Sequence, residues 1–522
     1  MAGDGNYPTS GTSAEVSSAL KLIAKGAGFT FVGLAFSKVV SYLFRLIVAR
    51  VGPEDYGLFS LGFGVFDVVS TIAMLGMAWG VMRYVPEYAA KKRERELGRV
   101  IDASLFISLA AGVAGGALLF LLAPFIAAHV FHDGRVAPVI EIFAFAIPFY
   151  NAGGVALAAC RAFKRIDYEV LAKYFVENGL KLLFAAAAVL VGAGFLRVTA
   201  AFAAAIIASS FLAFFLLRRI TPAHPFALPR QETSGHLLHY SIPLMLSSVV
   251  WLAVSWADTF FVGAFRSVGE VGVYNAALPT AAMLTLAPVA LSIAFKPITV
   301  EMVSEGRLAG FKRVYSSLTK WIFVANLPLL VFFVFFPSEV MRVLFGSAYV
   351  SAGVPLAILS VGFFVSSLLN LGADVAGAFD RTKLVLRNAA AAAAASLALN
   401  FLLVPHFGIV GAAVATAAAL ALYGVLSFLA ARRLLKGIRL FSGASVKVLL
   451  SAVAAAVLAW LFSSLNLASG TAWLAAVGAV FGLLYASLVL VTKCLDEDDL
   501  LVLAAVKRRL RASLASVRLR TG

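Results

Sequence analysis

With 522 residues, 62% of them hydrophobic and only 13% charged, and a mean hydropathy of +0.96, the chain carries more apolar side chains than the surface of a water-soluble domain tolerates. A net charge of +17 suits a nucleic-acid partner, but the bases are dealt out between long apolar runs, which excludes that partner and marks a polytopic membrane protein. Two cysteines without metal spacing, Cys160 and Cys494, predict reduced thiols and no disulfide.

Apolar runs predict fourteen transmembrane helices, at about 27–49, 57–82, 100–122, 138–160, 169–192, 196–217, 238–262, 272–295, 317–337, 352–377, 384–404, 408–431, 444–464 and 471–492. With both termini in the cytoplasm, 35 of the 43 Lys and Arg fall on inner segments and five on outer ones, and Lys38, Arg45 and Lys181 fall within the membrane. That asymmetry fixes the expected orientation in a cytoplasmic membrane. The organisation it gives is a cytoplasmic segment 1–25 with no cleaved leader, a first lobe 26–220 (helices 1 to 6), an inter-lobe linker 221–235, and a second lobe 236–433 (helices 7 to 12). Helices 13 and 14 follow within 434–493, then a cytoplasmic basic tail 494–522.

Helix 1 carries Lys38 and Arg45 inside its apolar run. A cation at a helix centre costs roughly 2.5–3.5 kcal/mol on insertion scales, so both are expected to face a hydrated cavity or an anion. Their spacing of seven puts them on one face, with Ser41 and Tyr42 between them. Helix 2 carries Asp67 at a depth similar to that of Lys38, and a counter-ion pair is expected. The run Lys91, Lys92, Arg93, Arg95, Arg99 follows on the inside, where the positive-inside rule accounts for it.

Helices 3 to 6 are rich in Ala and Gly and read as scaffold. Helix 5 is the exception, because Glu177 and Lys181 stand four apart in the favourable order. Spacing leaves two readings open: a self-neutralising pair, or a Lys181 that faces the same cavity as Lys38. Past the proline-punctuated linker, His236 and His239 lack a third ligand and predict no metal. Asp258, near the outer end of helix 7, is read as structural or gating, because a carboxylate costs little at the interface. Asp55, Gly57 and Phe59 are matched by Glu270, Gly272 and Tyr274 at a constant offset of 215, a weak internal repeat. The tail, with acids first and bases interleaved with Leu500, Leu503, Leu510 and Leu514, predicts an amphipathic helix on anionic lipid.

Three phrases carry a resemblance: Arg45-Leu-Ile-Val-Ala-Arg-Val-Gly-Pro-Glu-Asp-Tyr-Gly-Leu-Phe, Arg83-Tyr-Val-Pro-Glu-Tyr, and Asp258-Thr-Phe-Phe-Val-Gly through Val273-Tyr. They resemble the polysaccharide transporter family of the multidrug/oligosaccharidyl-lipid/polysaccharide flippase superfamily. The resemblance implies an all-α, MATE-like fold of two six-helix lobes around a central cavity plus two C-terminal helices. It also implies transport by alternating access of an isoprenoid-linked oligosaccharide from the cytoplasmic to the outer leaflet. Glycosyltransferases or a polymerase of the same pathway are the further partners it suggests, beside membrane lipid. Lys38, Arg45, Lys181, Tyr42 and Ser41 are then the expected substrate contacts, and Asp67, Glu177 and Asp258 the charge partners or coupling groups. A cation-coupled multidrug antiporter is the alternative, and it needs Asp67 or Asp258 to bind Na+ or H+. No phosphate-binding loop, nucleophile constellation or metal cluster is legible, so neither an enzyme nor a cofactor is expected.

Overall fold

The computed structural model describes residues 33–34, 36–192, 194–221, 231–435, 437–438, 443–464 and 471–491, and among them every regular element is helical. The predicted segment 1–25, linker residues 222–230 and the tail 494–522 with Cys494 lie outside the described residues. The chain forms two compact units, Met1–Trp256 and Ala257–Gly522.

The first unit holds α1 (36–49), α2 (Pro53–Ala73), α3 (Met77–Ala90), α4 (Glu94–His129), α5 (Val136–Ala162), α6 (Ile166–Glu169), a π-helical segment (Val170–Glu177), α7 (Asn178–Leu190) and α8 (Phe195–Arg218). It also takes most of α9 (Gln231–Phe265). The second unit holds α10 (Val268–Ala281), α11 (Leu286–Ser304), α12 (Leu308–Phe335), α13 (Pro337–Phe345), α14 (Gly353–Leu369), α15 (Leu371–Ala378), α16 (Thr382–Leu434), α17 (Gly443–Ser464) and α18 (Thr471–Val491). Each of the fourteen predicted spans is mostly helical where it is described. Among the described residues eight segments are long and apolar enough to cross a bilayer, and α9 taken as one bent span makes a ninth. The outer flank of α4 shows why the solvent is lipid: Leu118, Phe120, Leu121 and Phe125 are 52–75% exposed there, an apolar stripe that water would penalise.

Several spans read as continuous are broken, two of them in the first unit. The second is divided at Met74–Gly76, where Leu75 and Gly76 take left-handed conformations (φ 51° and 69°), so α3 leaves at a new angle. Its buried face, Met77, Val81 and Val85, packs on Leu97, Val100 and Ile101 of α4 and on Val155, Ala156 and Ala159 of α5. A Cβ on Gly76 would stand 2.3 Å from the Ser241 carbonyl oxygen, so no other residue fits. Gly76→Ala is therefore expected to lower stability by about 2 kcal/mol or more, a left-handed penalty plus a backbone clash, read as a lower melting midpoint of the detergent-solubilised protein. The second break, the π-helical segment, divides the predicted fifth span, because hydrophobic periodicity does not report a single widened turn.

Small residues bring the scaffold helices together as expected: a Cβ on Gly116 of α4 would lie 2.7 Å from the Ala144 carbonyl of α5. In the second unit α16 contains two predicted spans. Pro405 and the non-helical Gly408 (φ 55°, ψ −134°) reverse the chain between them, and α14 and α15 pack against the resulting arms. The repeat also has a structural counterpart. Asp55 and Glu270 each stand in the first turn of a helix, α2 and α10, with Ser267 capping the latter by accepting from the Glu270 amide at 3.3 Å.

Outside the spans, Arg135 between α4 and α5 ties Asp133 (2.8 Å) and Glu54 (2.6 Å). Its guanidinium, hydrogen-bonded to Asp133, holds that carboxyl below the usual carboxylate range. Because the pKa is lowered on folding, the stability it contributes is complete above about pH 4, the unfolded value, and is lost as pH falls through the folded one. Asp133→Asn should thus leave stability unchanged in slope between pH 5 and 8 and flatten only the acid limb of a melting-midpoint titration.

Candidate functional site

The first unit contains a cavity of about 120 Å³ lined by Ser41, Phe44 and Arg45 of α1, Phe59, Ser60 and Phe63 of α2, Asn178 and Lys181 of α7, Phe202 of α8 and Trp256 of α9. Three of the predicted contacts, Ser41, Arg45 and Lys181, therefore converge in one place. Residues 41 and 45 share a face of α1 by their spacing of four, which is why one helix supplies both.

The Arg45 guanidinium donates to the Tyr56 hydroxyl at 3.2 Å, and among the described residues it has no carboxylate partner. The buried ring of Tyr56, in the first turn of α2, thus sets the angle of the cation. Lys181 is bound to Glu177 at 2.6 Å, the two side chains only 13% and 10% exposed, and Ser209 donates to the other Glu177 oxygen at 3.3 Å. The lysine ammonium also lies 4.4 Å from the centre of the Phe202 ring. Lys181 is thus paired with Glu177, as the first reading has it, and it also lines a cavity, one shared with Arg45 and not with Lys38. With Arg45 counted, one positive charge remains uncompensated in the wall.

Asn178, which sequence reasoning missed, holds α1 to the end of the π-helical segment. Its amide donates to Ser37 Oγ at 2.9 Å and to the Lys173 carbonyl at 3.0 Å, while its oxygen accepts from Ser41 Oγ at 3.1 Å. The signal was present, since Asn178 extends the Glu177–Lys181 polar stripe by one residue. The rest of the lining is largely aromatic: Phe44, Phe59, Phe63 and Phe202 pack tilted, edge-on or stacked with ring centres 4.9–6.0 Å apart, and Phe63 meets Trp256 edge-on at 5.9 Å.

The expected pairing of Asp67 with Lys38 is not formed. Asp67 accepts from the Trp256 indole N–H at 3.1 Å, and the cations whose charge reaches it are Lys173 and Lys181. Lys38 is exposed and makes no ion pair among the described residues; it stands on the same face of α1 a turn beyond Ser41, outside the cavity lining. Matching depth on neighbouring helices fixes height but not azimuth, which is where the expectation failed. Lys173, tallied with the inner bases although it falls within the predicted fifth span, lies in the π-helical segment, its ammonium 5.9 Å from the Tyr150 ring centre. Tyr42 is half-buried and does not line the cavity.

Asp258 belongs to the second unit and is buried, 5% exposed. Its carboxylate accepts from Tyr274 Oη at 2.6 Å, Thr416 Oγ1 at 3.1 Å and the Thr259 amide at 2.9 Å. Those donors tie α9, α10 and α16 and compensate the burial of the carboxylate. Tyr274→Phe should therefore cost about 1.5–3 kcal/mol of stability, the loss of a hydrogen bond to an acid, measured by thermal unfolding.

Residues 23–302 match the family described as polysaccharide biosynthesis protein. An uncharacterized membrane protein of Methanocaldococcus jannaschii is 22% identical over 75% of this chain and 80% of its own length. A probable low-salt glycan biosynthesis flippase of Haloferax volcanii is 28% identical over 38% of this chain and 42% of its own. Among solved structures, the lipid II flippase MurJ in an inward closed conformation superposes with a TM-score of 0.69 at 15% identity, over 88% of this chain and 97% of that one. An inward-facing multidrug resistance MATE family transporter gives 0.66 at 14% identity, over 77% and 95%. These likenesses establish the MATE-like fold.

Proposed function

This chain belongs to the polysaccharide biosynthesis protein family and is a multi-pass membrane protein; from that premise we propose that it is a transporter rather than an enzyme, and that it moves an isoprenoid-linked oligosaccharide from the cytoplasmic to the outer leaflet of the cytoplasmic membrane. The observation that carries this reading is the cavity wall itself, in which Arg45 and Lys181 face four phenylalanines with one positive charge left over. A diphosphate cannot enter hydrocarbon unaided, and a guanidinium together with an ammonium replaces part of its hydration with charge-assisted hydrogen bonds. Aromatic rings supply an apolar face beside those cations, against which a sugar ring or the first isoprene unit packs. An inside-negative potential favours outward movement by about 2.3 kcal/mol per charge per 100 mV, so about two charges on a diphosphate gain roughly 4–5 kcal/mol without a nucleotide.

The glycan flippase reading is further supported by the Haloferax volcanii relative. The test is reconstitution of the full chain into vesicles containing a fluorescent isoprenyl-diphosphate disaccharide, with the inner-leaflet pool read by its protection from a membrane-impermeant quencher. Protein-dependent exchange of the pool, accelerated by a potential of the stated sign, is the expected result. Exchange indistinguishable from empty vesicles, with export of a cationic dye driven by a Na+ or H+ gradient, would replace this reading by the antiporter.

A further inference from the structure

The reversal of α16 at Gly408 brings its two ends together, and with the turn after α15 they enclose a second pocket, of about 650 Å³, wholly within the second unit. Its lining includes Arg381, Lys383, Arg387 and Arg433 against one acid, Asp380, over a floor of Leu384, Ala430 and Leu434. All four cations are exposed, and among the described residues none of them, nor Asp380, is in an ion pair. Three positive charges in excess around one concavity repel each other, and an exposed basic run has no need to converge in this way; a bound polyanion relieves the repulsion.

The surroundings of the pocket decide what kind of anion. Leu386, beside Arg387, is 71% exposed, and Leu429, one turn before Arg433, is 42% exposed, so apolar surface flanks the cations. A soluble phosphate has no use for that surface, whereas an amphiphile presents a phosphate and acyl chains side by side. We propose that this pocket binds the phosphate-bearing head group of an anionic membrane phospholipid, at a site distinct from the transport cavity of the first unit. Arginine forks from Arg387 and Arg433 take the phosphate oxygens, and Leu386 and Leu429 meet the first methylenes of the chains. The proposal does not depend on what the transport cavity carries.

The test uses the purified full chain in mixed micelles, titrated with phosphatidylglycerol, with phosphatidylcholine, or with inorganic phosphate, and followed by its melting midpoint. Phosphatidylglycerol is expected to stabilise the protein and the other two are not. Because each basic residue at an anionic surface adds a roughly additive increment, the phosphatidylglycerol fraction needed for half the stabilisation should rise about 30-fold in the Arg387→Gln, Arg433→Gln pair variant. A control pair variant on the first unit's basic run, Lys92→Gln with Arg95→Gln, should keep the normal midpoint. Equal losses in the two pair variants would reduce the effect to general surface charge and overturn the site. Equal stabilisation by inorganic phosphate would overturn the lipid as its occupant. All substituted positions are exposed, so folding should survive; the single variant Lys383→Gln, expected to shift the midpoint a few-fold, gives the same decision if the pair variant is not recovered.

Discussion

Lys181→Met is expected to remove most folded protein from the membrane, at a cost of roughly 3–5 kcal/mol, because it leaves the Glu177 carboxylate buried without its cation. The 2.6 Å contact, the 13% and 10% exposure of the two side chains and the Ser209 hydroxyl on the second oxygen hold Glu177 and Lys181 together as a buried pair. The compensating pair variant Glu177→Gln with Lys181→Met removes both charges and fills the volume with neutral atoms, so abundance and melting midpoint should return to within about 1 kcal/mol of the parent. Translocation should not return with them, since the cavity then lacks one of its two cations. If the pair variant transports normally, Lys181 serves only the fold. If Lys181→Met alone is as abundant and as stable as the parent, the buried-pair description is wrong.

Residue patterning made the helices legible because lipid imposes length and composition on every span, and the predicted α16 arms meet at Pro405–Gly408, as a proline and a glycine require. What it did not show are the breaks. Leu75 lies within an apolar run, the widened turns of the π-helical segment leave no mark on hydrophobic periodicity, and the local geometry is set by packing against Ser241 and by Asn178. The candidate site divides along the same line. Polar groups that share a helix face, Ser41 with Arg45 and Glu177 with Lys181, were readable from spacing alone. Partners on different helices, Asp67 with Trp256 and Arg45 with Tyr56, depend on helix rotation, about which a single sequence carries no information.

Arg45→Ala should reduce translocation about 10- to 150-fold at unchanged membrane abundance, the loss of one charge-assisted contact worth about 1.5–3 kcal/mol. Abundance should hold because Arg45 has no carboxylate partner among the described residues, so its removal strands no buried charge. Arg45→Lys keeps the charge but not the planar fork and should fall between the two. Tyr56→Phe frees the guanidinium from its 3.2 Å anchor and should slow translocation by a few-fold, about what one neutral hydrogen bond is worth. Lys38→Ala supplies the ranking: exposed and outside the cavity lining, Lys38 should matter less than Arg45, with a loss under about 10-fold. The measurement is initial flipping rate in vesicles at matched protein content. A Lys38→Ala defect larger than that of Arg45→Ala would move the anion site up α1, away from the aromatic wall; normal rates in both would remove the first helix from substrate recognition altogether.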